Sequence, residues 1–388
     1  MFDCVVVGCG FCGSVIARRL AEEMDKKVLV IDRRNHIAGN MYDYADTNNI
    51  RIQKYGPHLF HTNDDKIFEF VSRFTEWIPS KLVCRAEIDG KLTPSPFNFS
   101  TIDTFFPDEA EELKEKLLNA YPNRNTATIV ELMEHKDPLI KKFADFLFEK
   151  DYRLYTSKQW GIPPSEIDIS VLKRVPIVLS YEDSFFRDKY EVFPKDGFVK
   201  LFENMLNHKN ITVKLNTEAV SILDFDFENK LIKMNGKIYN KPVLFTGPLD
   251  LLMNNEFGKL PYRSLYFDFR KVPESDTLEA PLEVFPQVAD YTRITDYSQF
   301  PVQKTYGTVT LAFEFPLQYS PESERGNEPY YPIINDANSE LYRKYLDKAK
   351  SIKNLFVCGR LADYKYYNMD NAIARAFDVY KLIKEHYI

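Results

Sequence analysis

An unbroken apolar run from Cys4 to Val7 (CVVV) predicts a central strand of a parallel sheet, buried on both faces. Gly8, Gly10 and Gly13 follow. Val15, Ile16, Leu20 and Met24 then recur at helical spacing, which predicts an amphipathic helix. A second apolar run, Val28 to Ile31, predicts the next strand and stops at Asp32. Helical spacing returns from Ile67 to Trp77, whereas residues 82 to 93 (LVCRAEIDGKLT) read as a hairpin turning at Asp89-Gly90. Residues 101 to 150 are strongly helical, with their charges forming a solvated face. Strands dominate the second half: ITVKLN, AVSILDFDF, KLIKMNGKIY, Lys241 to Gly247, Ser264 to Phe269 and Thr308 to Phe313. The tail from Asn354 repeats the opening order of apolar strand, glycine and long helix.

These periods predict an α/β fold. Its Rossmann-like nucleotide domain is discontinuous (1–80, 195–255 and 350–388), because the strands at 241–247 and in the tail return to the first sheet. A helical insert domain spans 100–180, and a mixed or antiparallel β-sheet domain takes 81–99, 181–194 and 256–349.

The first unit carries chemistry. Glycines in G-x-G-x-x-G spacing let the backbone approach a pyrophosphate, and the helix N-terminus offers unpaired N–H groups. Asp32 lies 19 residues past Gly13, where a carboxylate reaches a ribose hydroxyl. Strand, glycine turn, helix, strand and acid together predict a bound dinucleotide. A second glycine turn, Gly39-Asn40, follows directly; simple nicotinamide domains lack it, and FAD proteins commonly have it. The same loop contains a C-x-x-C, Cys9 to Cys12, the setting of a redox thiol pair. That alternative leaves Gly8, Gly13 and Asp32 without a role.

Composition narrows the field. A chain of 388 residues with 44% hydrophobic and 28% charged residues suits a soluble enzyme of two or three domains. Net charge is −6, so no broad basic face for nucleic acid is expected, and an anionic ligand needs a local arginine cluster. No apolar stretch approaches the ~18 residues of a membrane span. The N-terminus does not read as a signal peptide. Five irregularly spaced cysteines fit reduced thiols and a cytoplasmic location. The aromatics are 24 Tyr and 30 Phe against 2 Trp, with many tyrosines in polar stretches that suit a ligand cleft. His58 and His61, in KYGPHLFHT, could be metal ligands or an acid/base pair. Gly56-Pro57 argues against a helix there, and no Cys or carboxylate cluster completes a metal site.

A run of motifs resembles the bacterial UDP-galactopyranose mutase family: RNHIAGN, KYGPHLFHTND, YTSKQWG, LKRVP, TGPLD, YRSL, YTRI, EPYYP and GRLADYKYYNMD, in that order from Cys4 to about Tyr380. The resemblance implies a discontinuous FAD domain, a helical domain and a six-stranded mixed sheet. It implies a flavoenzyme, often homodimeric and kept reduced by NAD(P)H or another reductant. Such an enzyme interconverts pyranose and furanose forms of a nucleotide sugar through a flavin N5–sugar adduct, for cell-surface polysaccharide. By the same resemblance Arg174 and Arg293 grip the diphosphate, Tyr155 and Trp160 pack on uracil, and Tyr366 lies near the diphosphate and flavin. His61, with His58 and Leu59, belongs to a loop on the flavin face. Phe11, Cys12, Arg33, Thr246, Gly247, Arg360 and Met369 join the glycines, Asp32 and Asn40 as cofactor contacts.

Three positions depart from the family pattern. It shows tyrosine where this chain has Phe185 and Phe315, and aspartate where it has Asn368. A hydrogen bond to a charged group contributes ~1.5–3 kcal/mol, so losing two donors weakens the usual ligand or marks a different sugar, such as a fucose nucleotide. An N-acetylgalactosamine nucleotide is a further alternative, although relatives acting on it carry arginine in place of His61. The rivals in other classes are an FAD-dependent amine or alcohol oxidoreductase and a non-catalytic FAD-binding protein.

Overall fold

The computed structural model describes residues 2–161, 176–288 and 290–387. Cys4–Val7 is the middle strand of a five-stranded parallel sheet whose order is Ile211–Lys214, Val28–Ile31, Cys4–Val7, Val243–Phe245, Leu355–Val357. Val5 sits in register with Leu29 on one side and Val243 on the other. The two inner strands of the opening unit are fully buried at Val5, Val6, Val28 and Val30, as an apolar run without alternation requires. The expected return of the 241–247 segment and of the tail to this sheet is what the parallel pairing Val243↔Leu355 records. Helix Phe11–Glu23 packs against the C-terminal helix Met369–His386, with Arg19 over the Phe377 and Tyr380 rings. Each fully buried apolar side chain here, Leu20 for example, contributes roughly 1.5–3 kcal/mol.

The second sheet is mixed and seven-stranded, one more than the resemblance implies; the extra strand is a two-residue edge, Tyr331–Pro332, beside Tyr262–Pro273. The order continues through Thr308–Gln318, Arg293–Asp296, Leu282–Val284, Cys84–Ile88 and Lys91–Pro94. Only Leu282–Val284 with Cys84–Ile88 is parallel. The hairpin turns at Asp89 and Gly90, both at positive φ (50° and 74°), the backbone that this dipeptide accepts.

The helical stretch holds Phe99–Phe105, Ala110–Ala120, Ile129–Met133 and Pro138–Leu147. The last runs on through a π-turn, Phe148–Tyr152, into Arg153–Trp160. One expected helix is shorter than its periodicity. It spans Asp65–Ser72, capped by the Asp64 carboxylate, and Trp77–Pro79 is instead a strand paired with Tyr190–Pro194. Backbone pairing with a distant segment overrides local spacing there.

Candidate active site

Where the first strand meets the first helix, a cavity of about 410 Å³ opens at the carboxyl ends of the parallel strands. Gly8, Gly10, Phe11, Cys12, Gly13, Asp32, Arg33, Gly39, Asn40, Thr246, Gly247, Arg360 and Met369 all line it. Gly8 has φ +105°, and a Cβ there would fall 1.9 Å from Thr246 Oγ1 on the neighbouring segment. A Cβ on Gly13 would fall 1.9 Å from the Gly8 carbonyl oxygen, so only glycine lets the helix seat against the loop. The two glycine turns touch, since a Cβ on Gly39 would lie 3.0 Å from Gly10 Cα. No side chain caps helix Phe11–Glu23, which leaves its first-turn N–H groups for a ligand.

Asp32 braces this loop as well as lining the cavity. One carboxylate oxygen accepts from the Cys9 N–H (2.8 Å) and the other from the Arg34 N–H (2.9 Å). Each oxygen keeps a lone pair for a ribose hydroxyl. Arg33 and Arg34 both reach Glu328, at 2.7 and 2.8 Å. The thiol-pair alternative fails on chemistry. Burial, with the nearby Asp32, pushes the Cys9 thiol up to about 12, and Cys12 Sγ donates to the Ala372 carbonyl (3.3 Å). Cys9 is not poised as a thiolate.

A second cavity, about 320 Å³, lies between the helix Arg153–Trp160 and the seven-stranded sheet. Tyr155, Phe185, Arg293 and Tyr366 line it, together with Cys84, Asp151, Tyr152, Gln159, Arg263, Glu314 and Tyr331. Arg293 and Glu314 are cross-strand partners, and both Nε (2.8 Å) and Nη2 (2.5 Å) donate to one Glu314 oxygen. Burial pulls the guanidinium pKa down, but Glu314 with the Tyr155 and Tyr331 rings raises it further, so Arg293 stays charged. Two of its five N–H groups are committed to Glu314, and the others meet no acceptor among the described residues and remain for an anion.

Arg263 is the residue that sequence reasoning missed, although it stands in the YRSL motif. It is buried, its Nε donates to the Gln159 carbonyl (3.1 Å), and no carboxylate pairs with it among the described residues. Burial lowers its pKa, so this cation gains from any anion entering the cavity.

Arg360 joins the two cavities. It lines the first, while its guanidinium carbon lies 5.0 Å from the Tyr331 ring and 5.6 Å from the Tyr366 ring, both walls of the second. Tyr331 and Tyr366 stack at 5.5 Å. His58 feels this junction. Burial, followed by the charges of Arg360 and Arg293, pushes its pKa down to about 3, and its Nδ1 meets the Gly56 carbonyl at 2.7 Å. His58 is therefore a neutral ring.

Other predicted residues stand apart. His58, Leu59 and His61 line neither cavity. His61 Nδ1 meets Asp188 at 2.5 Å and its ring stacks on Phe186 (3.8 Å), which in turn meets Phe185 edge-on (4.9 Å). It thus braces the second cavity's wall from behind. Phe315 is outside the lining, packed against Tyr266 and Tyr291, and Asn368 lines the first cavity at the N-cap of Met369–His386. The Trp160 side chain and the whole of Arg174 lie outside the described residues. Among the described residues no group of three or more His, Cys, Asp or Glu is placed to hold a metal ion, and no helix is long and apolar enough to cross a membrane.

Residues 6–74 match the NAD(P)-binding Rossmann-like domain, and residues 150–366 match the UDP-galactopyranose mutase family. A UDP-galactopyranose mutase of Mycoplasma genitalium is 34% identical, covering 96% of this chain and 92% of that protein. A dTDP-fucopyranose mutase of Escherichia coli is 33% identical, over 97% of each. In overall fold the chain is similar to a crystal structure of reduced UDP-galactopyranose mutase (TM-score 0.73, 17% identity, covering 99% of this chain and 94% of that one). The fold is shared more distantly with a putrescine oxidase bound to putrescine (TM-score 0.55, 12% identity, 99% of each chain). The length and identity of the sequence matches decide between these, and the chain belongs to the UDP-galactopyranose mutase family of isomerases.

Proposed function

We propose that this chain holds FAD in the first cavity and interconverts the pyranose and furanose forms of a nucleotide sugar, UDP-galactose, in the second. The observation that carries this reading is the junction of the two cavities at Arg360, Tyr331 and Tyr366, beyond which lie Arg293 and Arg263. The glycine cradle and the uncapped helix start fit the pyrophosphate of a dinucleotide. When bound and reduced, by NAD(P)H or another donor, FAD supplies a nucleophilic N5 for the sugar's anomeric carbon.

The chain's own residues handle the leaving group. Arg293, oriented by Glu314, and Arg263, which has no carboxylate partner among the described residues, hold the diphosphate and stabilise the charge that grows on it as the anomeric C–O bond breaks. Kept in place, the diphosphate is available to re-form that bond after the ring has changed size. Arg174 adds a third cation by resemblance. Tyr155 offers a ring face to the base, and Tyr331 with Tyr366 closes the cavity toward the flavin side. No net oxidation occurs, and the furanosyl product suits cell-surface polysaccharide assembly.

A second sugar is favoured by one observation. Phe185 gives the cavity an apolar ring without a hydroxyl donor, and the Escherichia coli relative is named for dTDP-fucopyranose. Incubating the dithionite-reduced protein with UDP-galactose and dTDP-fucose, and resolving furanose products by chromatography, tests both. Furanose formation from either supports the reaction; none from any nucleotide hexose rejects it.

A further inference from the structure

We propose that Asp151 reads the edge of the substrate's nucleobase and so determines which nucleotide the second cavity accepts; the inference rests on the nucleotide-sugar reading above. Asp151 stands in the π-turn Phe148–Tyr152 between two helices, a distortion that recurs at functional sites. It lines the second cavity with Tyr155 and Gln159, four and eight residues on. Its carboxyl accepts no hydrogen bond from any described residue. The charge that bears on it, Lys158, is spent on the carbonyls of Phe285, Val288 and Tyr291, at 2.6, 2.5 and 2.8 Å. Once a ligand displaces water from the cavity, a carboxyl group without a partner there is costly unless the ligand supplies one.

The chemistry of that partner follows from the surroundings. Asp151 is not held down by Arg293; burial pushes its pKa up to about 7, with Lys158 the opposing influence. The other titratable groups around it are Tyr152 and Tyr155 on its own helix and Cys84 on the facing strand, all neutral thiols or phenols at neutral pH. Arg293 and Glu314 pair with each other elsewhere on the cavity wall. Below about pH 7 the site therefore holds a neutral carboxyl, which presents an O–H donor beside a C=O acceptor. That pair complements the N–H and C=O of a pyrimidine imide, uracil or thymine, while Tyr155 offers its ring face. An ionised carboxylate, which only accepts, would instead suit the paired N–H donors of guanine.

The test compares binding of UDP, GDP and N3-methyl-UDP to the FAD-loaded protein by calorimetry at pH 6, where the carboxyl is mostly protonated, in wild type, Asp151→Asn and Asp151→Leu. The methyl group blocks the imide N–H alone. Wild type should favour UDP over N3-methyl-UDP by about tenfold, as loss of a paired hydrogen bond implies. Asp151→Asn, which keeps a donor beside an acceptor, should retain that preference, and Asp151→Leu should bind the two alike. A preference that survives in Asp151→Leu overturns the proposal while leaving the nucleotide-sugar reading intact. Tighter binding of GDP than UDP, lost in Asp151→Asn, overturns the imide assignment. Absence of binding for all three nucleotides overturns both readings together.

Discussion

Replacing Arg293 in two ways separates its role in binding from its role in folding. The Glu314 carboxylate is 1% exposed and takes both Nε and Nη2 of Arg293. In Arg293→Ala it is left buried and unpaired, which costs about 3–5 kcal/mol of stability. The same change removes the N–H groups that face the cavity. Arg293→Lys keeps the charge and one contact to Glu314 but loses the planar fork. A charge-assisted phosphate contact contributes ~1.5–3 kcal/mol, so Lys should weaken nucleotide-sugar binding roughly 10- to 100-fold. Thermal unfolding and equilibrium binding of UDP, measured on the FAD-loaded protein, give the two readouts. Arg293→Lys should bind poorly with a Tm close to wild type, and Arg293→Ala should lose both binding and several degrees of Tm. A lysine variant that binds UDP like wild type would show that the anion sits elsewhere. An alanine variant with unchanged Tm would show that Glu314 does not depend on this pair.

Three further outcomes follow from the same geometry. Gly8→Val should purify without FAD, because any Cβ at Gly8 collides with Thr246 at φ +105°; the flavin absorbance of the purified variant checks it against wild type, expected yellow with non-covalent FAD. His58 has a folded pKa near 3 against about 6.5 unfolded, so the unfolded chain binds its proton first; the stability it contributes is full above pH 6.5 and falls as pH drops toward 3. Denaturation midpoints at pH 7 and pH 5 should therefore draw closer together in His58→Gln than in wild type. Phe185→Tyr should tighten UDP-galactose binding if the cavity merely lacks a donor, whereas unchanged or weaker binding, measured by calorimetry, points to a site shaped for another sugar.

Much of the first cavity is legible in the sequence because a short local segment builds it. Strand, glycine turn, helix and Asp32 lie within about thirty residues, and each glycine's reason is steric. The hairpin at Asp89-Gly90 is local for the same reason. The second cavity is assembled from many segments spread between Cys84 and Tyr366, so a residue's role there depends on what the fold brings opposite it. Arg263 carries no signal beyond its motif, since what marks it is the lack of a carboxylate partner. Glu314 matters only because strand register sets it across from Arg293. Asp151 reads as one more charge on a solvated helix until the π-turn faces it into the cavity. The stretch Ile67 to Trp77 misleads for the converse reason. Phe74 and Trp77 keep helical spacing, yet Trp77 pairs in a sheet and its ring packs on Phe60 at 5.3 Å. Trp160's side chain and Arg174 lie outside the described residues, so the roles expected of these two rest on resemblance alone.

The central claim is a redox-neutral isomerisation that nonetheless requires reduced flavin. Reducing the FAD-loaded protein anaerobically with one equivalent of dithionite, adding excess UDP-galactofuranose and counting UDP-galactopyranose per flavin tests it most directly. The expected result is many product molecules per flavin, a flavin spectrum still reduced at the end, and loss of activity on reoxidation. Product limited to one per flavin with the spectrum changed, or equal turnover by the oxidised protein, would contradict it.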